Sequence, residues 1–379
     1  MVWIHDATCF NEKYIREKAE ENGFSEPLNV ERFLWDCEIA AQLQSESDCF
    51  ILKGGAAVQL HLPLEKQRGS IDIDIICAAT KATIEKAVSN IEKKVADIKF
   101  ESYTPKNPQT ELNLLTYFVR TPALICSGED YHRIKIDFLM EDIILPTEII
   151  RNVKTFATDV KEIKCYSATS LIGDKLLALA ENTIGVNVID KLPKHLYDVY
   201  QISASLKLSK EQFVEIADAI KKLSVLEAKY RKLETTPEEA VQDVINTMNK
   251  YSALDLNNDN TDLKRQLEIF QGAYVRESQR QKMYGWCTRI TQIRFLSKLI
   301  FDVITERISP DEASRNYIAA IGFNNALGKI EGKEVTIMRQ KLFALSKTEV
   351  PKVFNGKPLQ RVFWHIVNRD NLPKLTELL

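Results

Sequence analysis

The chain has 379 residues, 45% of them apolar, and a formal net charge of −2, a composition that fills one or two sizeable cores and excludes a disordered chain. No run is long and apolar enough to span a membrane. Met-Val-Trp-Ile-His-Asp also lacks a basic segment followed by an apolar one, so the chain is expected to be soluble, cytoplasmic and without a membrane partner.

Seven cysteines, at 9, 37, 49, 77, 126, 165 and 287, form no C-x-x-C pair and read as reduced, mostly buried thiols rather than a zinc or disulfide framework. Charge is uneven along the chain. Residues 264–379 hold 20 Lys or Arg against 11 Asp or Glu, a net +9 that leaves −11 for residues 1–263. Such a split lets a nearly neutral protein present a basic surface to a polyanion, although a solvated surface with no partner has the same numbers.

Residues 11–22 read as a short surface helix stopped by Gly23, and Asn29–Gln44 repeats apolar residues at Phe33, Leu34, Ile39, Ala40 and Leu43 with helical periodicity. Phe50-Ile-Leu is a strand, Lys53-Gly54-Gly55 a tight turn, and Ala56–Leu62 a helix cut off by Pro63. Adjacent glycines let the backbone approach a ligand closely, and free amides at the start of a helix favour phosphate; an ordinary strand-to-helix turn would also use them. Residues 71–76 alternate Ile71, Ile73 and Ile75 with Asp72 and Asp74, so a strand here puts both carboxylates on one face. Their Cα atoms would lie roughly 6 to 7 Å apart, within reach of one hard cation that offsets their repulsion.

Thr80–Val95 is an amphipathic helix, Ile98–Tyr103 a strand, and a Pro/Asn loop leads to a third strand over Glu111–Thr121. Residues 131–140 alternate again, with Arg133, Lys135 and Asp137 opposite Ile134, Ile136 and Phe138. Asp137 is the third acid that a two-strand metal site needs; an edge strand with one wet face is the alternative. Pro146 and the polar segment to Cys165 are expected to end the α/β part. Ser170–Glu181 is a helix in which Lys175 sits among Leu171, Ile172, Leu176 and Leu179, and Lys191–Ile202 opens another that carries Asp198. A lysine and an aspartate in such settings need partners, and a plain structural ion pair between them is one answer.

The remainder reads as helical: Lys210–Leu223, Thr236–Tyr251, and one long helix from Asp262 to about Phe301 after the Asn257–Asn260 loop. The 264–300 stretch has eight basic residues and two acidic ones, with Arg276/Arg280 and Arg294/Lys298 as like-charged i,i+4 pairs whose repulsion phosphate would offset. Tyr274, Tyr284 and Trp286 could stack on bases, though core packing is the commoner use of such rings.

Gly54-Gly55, Arg68-x-Ser70-x-Asp72-x-Asp74, Asp137, Lys175 in Asp-Lys-Leu-x-Ala-Leu, and Tyr197-Asp-Val-Tyr200 together resemble the AbiEii/AbiGii-type nucleotidyltransferase toxins of the polymerase-β-like superfamily. These are the toxic halves of bacterial abortive-infection and type IV toxin–antitoxin pairs. The resemblance implies an α+β fold: a polymerase-β-like core with a mixed sheet, followed by a mostly α-helical C-terminal part. It divides as a core with N-terminal helices at 1–165, a helical region completing the site at 166–262, and a basic helical arm at 263–379.

It also implies that Asp72, Asp74 and Asp137 hold Mg²⁺ (or Mn²⁺) against a nucleoside triphosphate. Gly54, Gly55, Arg68 and Ser70 would contact phosphate, and Lys175 and Asp198 would contact nucleotide and orient the site. Where the family often has an arginine, this chain has Lys191 and Lys194, which lack the bidentate fork. His132 and His195 read as packed residues rather than general bases. The expected reaction is transfer of a nucleoside monophosphate from an NTP to an RNA acceptor, with tRNA favoured, release of pyrophosphate, and neutralisation by a cognate antitoxin protein. Nucleotidylation of a protein and a catalytically silent binding module are the alternatives.

Overall fold

β-Branched residues alternating with charged ones build the sheet, and the helices cover it where their apolar faces fall. In this computed structural model residues 3–70, 72–104, 112–125, 128, 130–256, 259–346 and 352–379 are described. Ile71, the Pro/Asn loop at 105–110, Glu111, Cys126, and Asn257 and Asn258 lie outside them. The chain divides into two compact units: Met1–Leu171 with Tyr230–Lys232 and Glu268–Arg280, and Ile172–Lys229 with Leu233–Leu267 and Gln281–Leu379.

The first unit opens with α1 (Glu12–Glu21), whose first turn is capped by the Asn11 side chain accepting from the Tyr14 amide and which ends at Gly23, φ +67°. α2 (Leu28–Glu46) follows, then β1 (Ile51–Lys53), α3 (Gly54–Leu60), β2 (Asp72–Ile76), α4 (Lys81–Lys94), β3 (Lys99–Tyr103), β4 (Leu114–Pro122), β5 (Tyr131–Leu139), β6 (Thr147–Lys154) and β7 (Asp159–Tyr166). The strands form one mixed sheet in the order β3-β4-β5-β2-β1-β7-β6, with β2 and β5 parallel and β1 and β7 parallel. Ile73, Ile75, Ile134, Ile136 and Phe138 are buried on the apolar face, as their alternation requires.

The segment from Pro146 to Cys165 is not merely polar connection: it supplies the last two strands, the antiparallel pair β6 and β7 at one edge of the sheet, and only helices follow. Most β6 side chains face solvent, and Lys161 and Glu162 are adjacent exposed residues in β7, so the alternation that reveals buried strands is missing.

α2 buries an unusual polar set. Glu31 accepts from the amides of Leu124 (2.7 Å) and Ile125 (3.0 Å) and lies 3.1 Å from His132 Nε2. Glu38 accepts from the amides of Ile4 and His5 and lies 2.7 Å from His5 Nδ1. These carboxylates tie loops and the N-terminal segment to the helix. His132 is thereby a buried structural residue.

α5 (Ala168–Leu177) runs from the first unit into the second, which continues with α6 (Leu192–Ser205), α7 (Lys210–Arg231) and α8 (Pro237–Tyr251). Thr236 and Glu239 form a reciprocal capping box at the start of α8. The single helix expected from Asp262 to Phe301 is two, α9 (Thr261–Tyr274) and α10 (Met283–Ile304), separated by a short 3₁₀ turn at Glu277–Gln279.

Bonds within the first unit replace the helical ladder at the break. Asn29 Nδ2 donates to the Ala273 carbonyl, the Gly69 amide to the Tyr274 carbonyl (2.9 Å), and the Glu277 amide to the Gly23 carbonyl (3.0 Å). α11 (Pro310–Leu327), α12 (Lys333–Ala344), α13 (Leu359–Ile366) and α14 (Leu372–Thr376) complete the chain. The fully buried Arg361 of α13 is held by Asp255 Oδ1 and the Ser252 carbonyl, both at 2.8 Å. Among the described residues no helix is long and apolar enough to cross a membrane.

Candidate active site

Register brings the predicted acids together. On the parallel pair β2/β5, Asp72 lies beside Lys135 and Asp74 beside Asp137; on the antiparallel pair β4/β5, Thr116 lies beside Asp137. Asp72, Asp74 and Asp137 are each partly exposed, on strands whose other face is fully buried. The sheet therefore presents three carboxylates from two neighbouring strands on its wet side.

Asp137 is committed on both oxygens. Thr116 Oγ1 donates to Oδ1 at 2.6 Å, and Lys135 Nζ is bonded to Oδ2. Burial would lower the Lys135 ammonium, but its bond to Asp137 and the charges of Asp137, Asp72 and Asp74 outweigh that and raise it above the usual lysine value.

Gly54 and Gly55 meet these acids from the other side of β2. Gly54 has φ +72°, and a Cβ there would lie 2.7 Å from Asp74 Cγ and 2.9 Å from Asp74 Cβ. Only glycine leaves Asp74 its place. A Cβ on Gly55 would meet Arg68 Nη2 at 3.1 Å and Ser70 Oγ at 3.3 Å, so a guanidinium and a hydroxyl lean over that peptide. Arg68 is itself fixed: its amide donates to Gln59 Oε1 (2.8 Å), Nη1 donates to the Gly69 carbonyl (2.6 Å), and the guanidinium lies 5.8 Å from the Phe270 ring centroid. Gly54, Gly55, Arg68, Ser70, Asp72, Asp74 and Asp137 all belong to the first unit.

Lys175, Lys191, Lys194 and Asp198 belong to the second unit. Lys175 is buried, with Nζ 3.6 Å from Asp174 Oδ2, and Asp198 is buried on α6. Lys191 is exposed at the N-cap of α6, and Lys194 is half-buried one turn on. His195, on the same helix, is buried.

The arginines expected to grip a polyanion are engaged inside their own units. Arg276 is buried with its guanidinium 5.3 Å from the Phe24 ring. Arg280 donates to the carbonyls of Gln271, Gly272 and Val275 and to Ser25 Oγ. Arg294 donates to the carbonyls of Trp364 and His365, both at 3.3 Å. Arg289 is buried beneath Tyr197, Tyr200 and Trp286, with ring centroids at 5.4, 4.9 and 5.0 Å. Trp286 is a core residue and Tyr274 packs on Phe270.

Two participants escape the sequence reading. Lys135 was visible as an i+2 neighbour of Asp137 on one face, but strand geometry alone did not distinguish it from Arg133. Asp36 of α2 is fully buried, and neither of its carboxylate oxygens has a hydrogen-bond partner among the described residues. Burial first, then the charges of Asp72 and Asp74, push its carboxyl well above the usual range. Its sequence signal is an acid at apolar i, i+3, i+7 spacing with Phe33 and Ala40.

Hard carboxylate oxygens on adjacent register positions are the right donors for Mg²⁺ or Mn²⁺. Among the described residues no three His, Cys, Asp or Glu side chains stand clustered as a preformed ligand group. The fit is in the donor set, with Asp137 turned to Lys135 and Thr116.

A mixed sheet presenting paired acids beside a Gly-Gly pair at a strand-to-helix junction is the architecture of a nucleotidyltransferase. The family model for the AbiEii nucleotidyltransferase toxin of type IV toxin–antitoxin systems matches residues 39–277, more than half of the chain. This protein belongs to that family and is a nucleotidyltransferase. No curated protein matches it in sequence.

Solved structures similar to it include JHP933 from Helicobacter pylori, at 15% identity over 75% of this chain and 96% of that one, with a TM-score of 0.40. The nucleotidyltransferase toxin MenT4 from Mycobacterium tuberculosis has 12% identity over 73% and 98%, TM-score 0.35. An antigenic nucleotidyltransferase-like protein from Paracoccidioides brasiliensis has 12% identity over 63% and 93%, TM-score 0.34.

Proposed function

We propose that this toxin transfers a nucleoside monophosphate from an NTP to an RNA acceptor, with tRNA the favoured one, and releases pyrophosphate. The observation that carries the transfer reading is that Asp72, Asp74 and Asp137 share one face of the β2/β5 pair, with Asp74 beside Asp137, next to Gly54 and Gly55 at the start of α3 and their Arg68–Ser70 cover. Asp72, Asp74 and Asp137 would hold Mg²⁺ or Mn²⁺, which when bound neutralises charge on the triphosphate and the entering oxygen.

The chain's own residues do the rest. Arg68 and Ser70 hold phosphate oxygens against the Gly55 peptide, and Gly54 keeps the backbone out of the volume that Asp74 needs. An acceptor oxygen attacks the α-phosphorus as the bond to the bridging oxygen of pyrophosphate breaks. Asp137 supports deprotonation of the attacking oxygen as that oxygen's proton passes to solvent. Lys175 and Asp198 orient the nucleotide, with Lys191 or Lys194 in place of the family arginine.

RNA as acceptor is supported by the +9 balance of residues 264–379 and by exposed Arg265, Lys282, Lys298, Lys329, Lys333 and Lys341 in the second unit, rather than by the four arginines engaged within their own units. A cognate antitoxin protein as partner is supported by the type IV toxin–antitoxin family.

Purified protein incubated with each labelled NTP, Mg²⁺ and total RNA should label RNA, and Asp72→Asn should abolish that labelling while leaving the fold intact. Label on polypeptide that resists ribonuclease would replace RNA by a protein acceptor. A toxic but unlabelling protein whose toxicity survives Asp72→Asn would make it a silent binding module.

A further inference from the structure

We propose that Lys135 is a built-in counter-ion of the carboxylate site, which holds Asp137 while no metal is bound and must release it before Asp137 becomes a ligand. The proposal rests on the reading of Asp72, Asp74 and Asp137 as the metal-holding acids.

Position makes Lys135 specific for this role. It precedes Asp137 by two residues on β5, so both side chains leave the same face, and its register neighbour on β2 is Asp72. One ammonium thus lies within the field of all three acids. Arg133, another two residues back on that face, is turned elsewhere: Nη2 bonds Glu101 at 3.0 Å and the guanidinium lies 4.5 Å from the Phe118 ring centroid.

The two bonds on Asp137 have different consequences. A carboxylate oxygen has lone pairs to spare, so the Thr116 hydroxyl on Oδ1 is compatible with a ligated Asp137 and orients it. An ammonium on Oδ2 competes with a dication for the same negative charge. Loading the third acid is therefore an exchange of one cation for another, and metal affinity without nucleotide is set against the Lys135–Asp137 bond. The enzyme folds with its repelling acids already compensated, and full metal loading is deferred.

The test uses the full-length protein, Mn²⁺ alone as probe, and no nucleotide, with bound metal counted by electron paramagnetic resonance. Lys135→Met should bind Mn²⁺ about tenfold more tightly than wild type, and Lys135→Gln should do the same if the methionine variant folds poorly. Arg133→Met removes an equal charge from the same strand face and should stay within about twofold. Equal tightening in the Lys135 and Arg133 variants, or none in either Lys135 variant, overturns the proposal. Asp72→Asn and Asp137→Asn separate the two ideas: if both bind Mn²⁺ as wild type does, the acids are not metal ligands and the underlying reading fails. If they lose Mn²⁺ while the Lys135 variants bind unchanged, only the counter-ion fails.

Discussion

Alanine at position 54 is the smallest change that strikes the acid pair without touching a carboxylate. Gly54 adopts φ +72°, where an L-residue costs about 1 to 2 kcal/mol. Its new Cβ would overlap Asp74 Oδ2 outright and lie 2.7 Å from Cγ, so the carboxylate must swing off its rotamer for roughly a further 1 kcal/mol. Gly54→Ala should therefore lose about 2 to 3 kcal/mol of stability. Transfer should fall by at least about 100-fold, because displacements of this size ruin a positioned site.

Gly55→Ala is the internal comparison. It meets only the ends of Arg68 and Ser70, at 3.1 and 3.3 Å, and these side chains can give way. Its expected loss is under about 1 kcal/mol, with weaker nucleotide binding as the main defect. Chemical denaturation, Mn²⁺ binding and NTP labelling of the two variants side by side make the measurement. A Gly54→Ala protein as stable as wild type and with unchanged Mn²⁺ affinity would refute the placement of Gly54 against Asp74.

Arg280→Ala should destabilise the first unit by about 1.5 to 3 kcal/mol, since its guanidinium closes the end of α9 through three carbonyls; a filter-binding assay should show RNA affinity within about twofold of wild type. Thr236→Ala removes one half of the α8 capping box and should cost about 1 kcal/mol, read as faster amide hydrogen exchange confined to the first turns of that helix. Burial, then the charges of Arg361 and Arg294, hold His365 down at about 4, below its unfolded value of about 6.5. The unfolded chain therefore takes up the proton first, and stability falls as pH drops from about 6.5 to about 4. After allowance for solvent screening the loss is about 1 to 2 kcal/mol. His365→Gln should be less acid-sensitive by that amount in unfolding titrations at pH 7.5 and 4.5.

The donor half of the site was legible because strand periodicity and two carboxylates in alternation are local signals. Asp72, Asp74 and Asp137 needed only the pleat to share a face, and the parallel register of β2 and β5 then set Asp74 beside Asp137. What stayed hidden depends on neighbours distant in sequence. β6 exposes most of its side chains and so lacks the apolar alternation by which β2 and β5 were found. The break after Tyr274 is made by Asn29, Gly69 and Gly23, more than 200 residues upstream, which take or supply the bonds a continuous helix would use. Arg280 looked like a phosphate-binding cation because nothing local reveals that carbonyls surround it. Asp36 is invisible for a similar reason: only the sheet behind it sets an acid of an apolar helix near two further carboxylates and so raises its pKa.

The return of Glu268–Arg280 to the first unit has a consequence for biosynthesis. Gly69, which separates Arg68 from Ser70, is anchored by its amide to the carbonyl of Tyr274. A ribosome that has delivered every acid of the β2/β5 pair still has well over a hundred residues to add before that anchor exists. The nascent toxin thus acquires its carboxylates early and the brace behind the Arg68–Ser70 limb late, and truncation before residue 274 leaves the limb without that anchor whatever remains of the sheet.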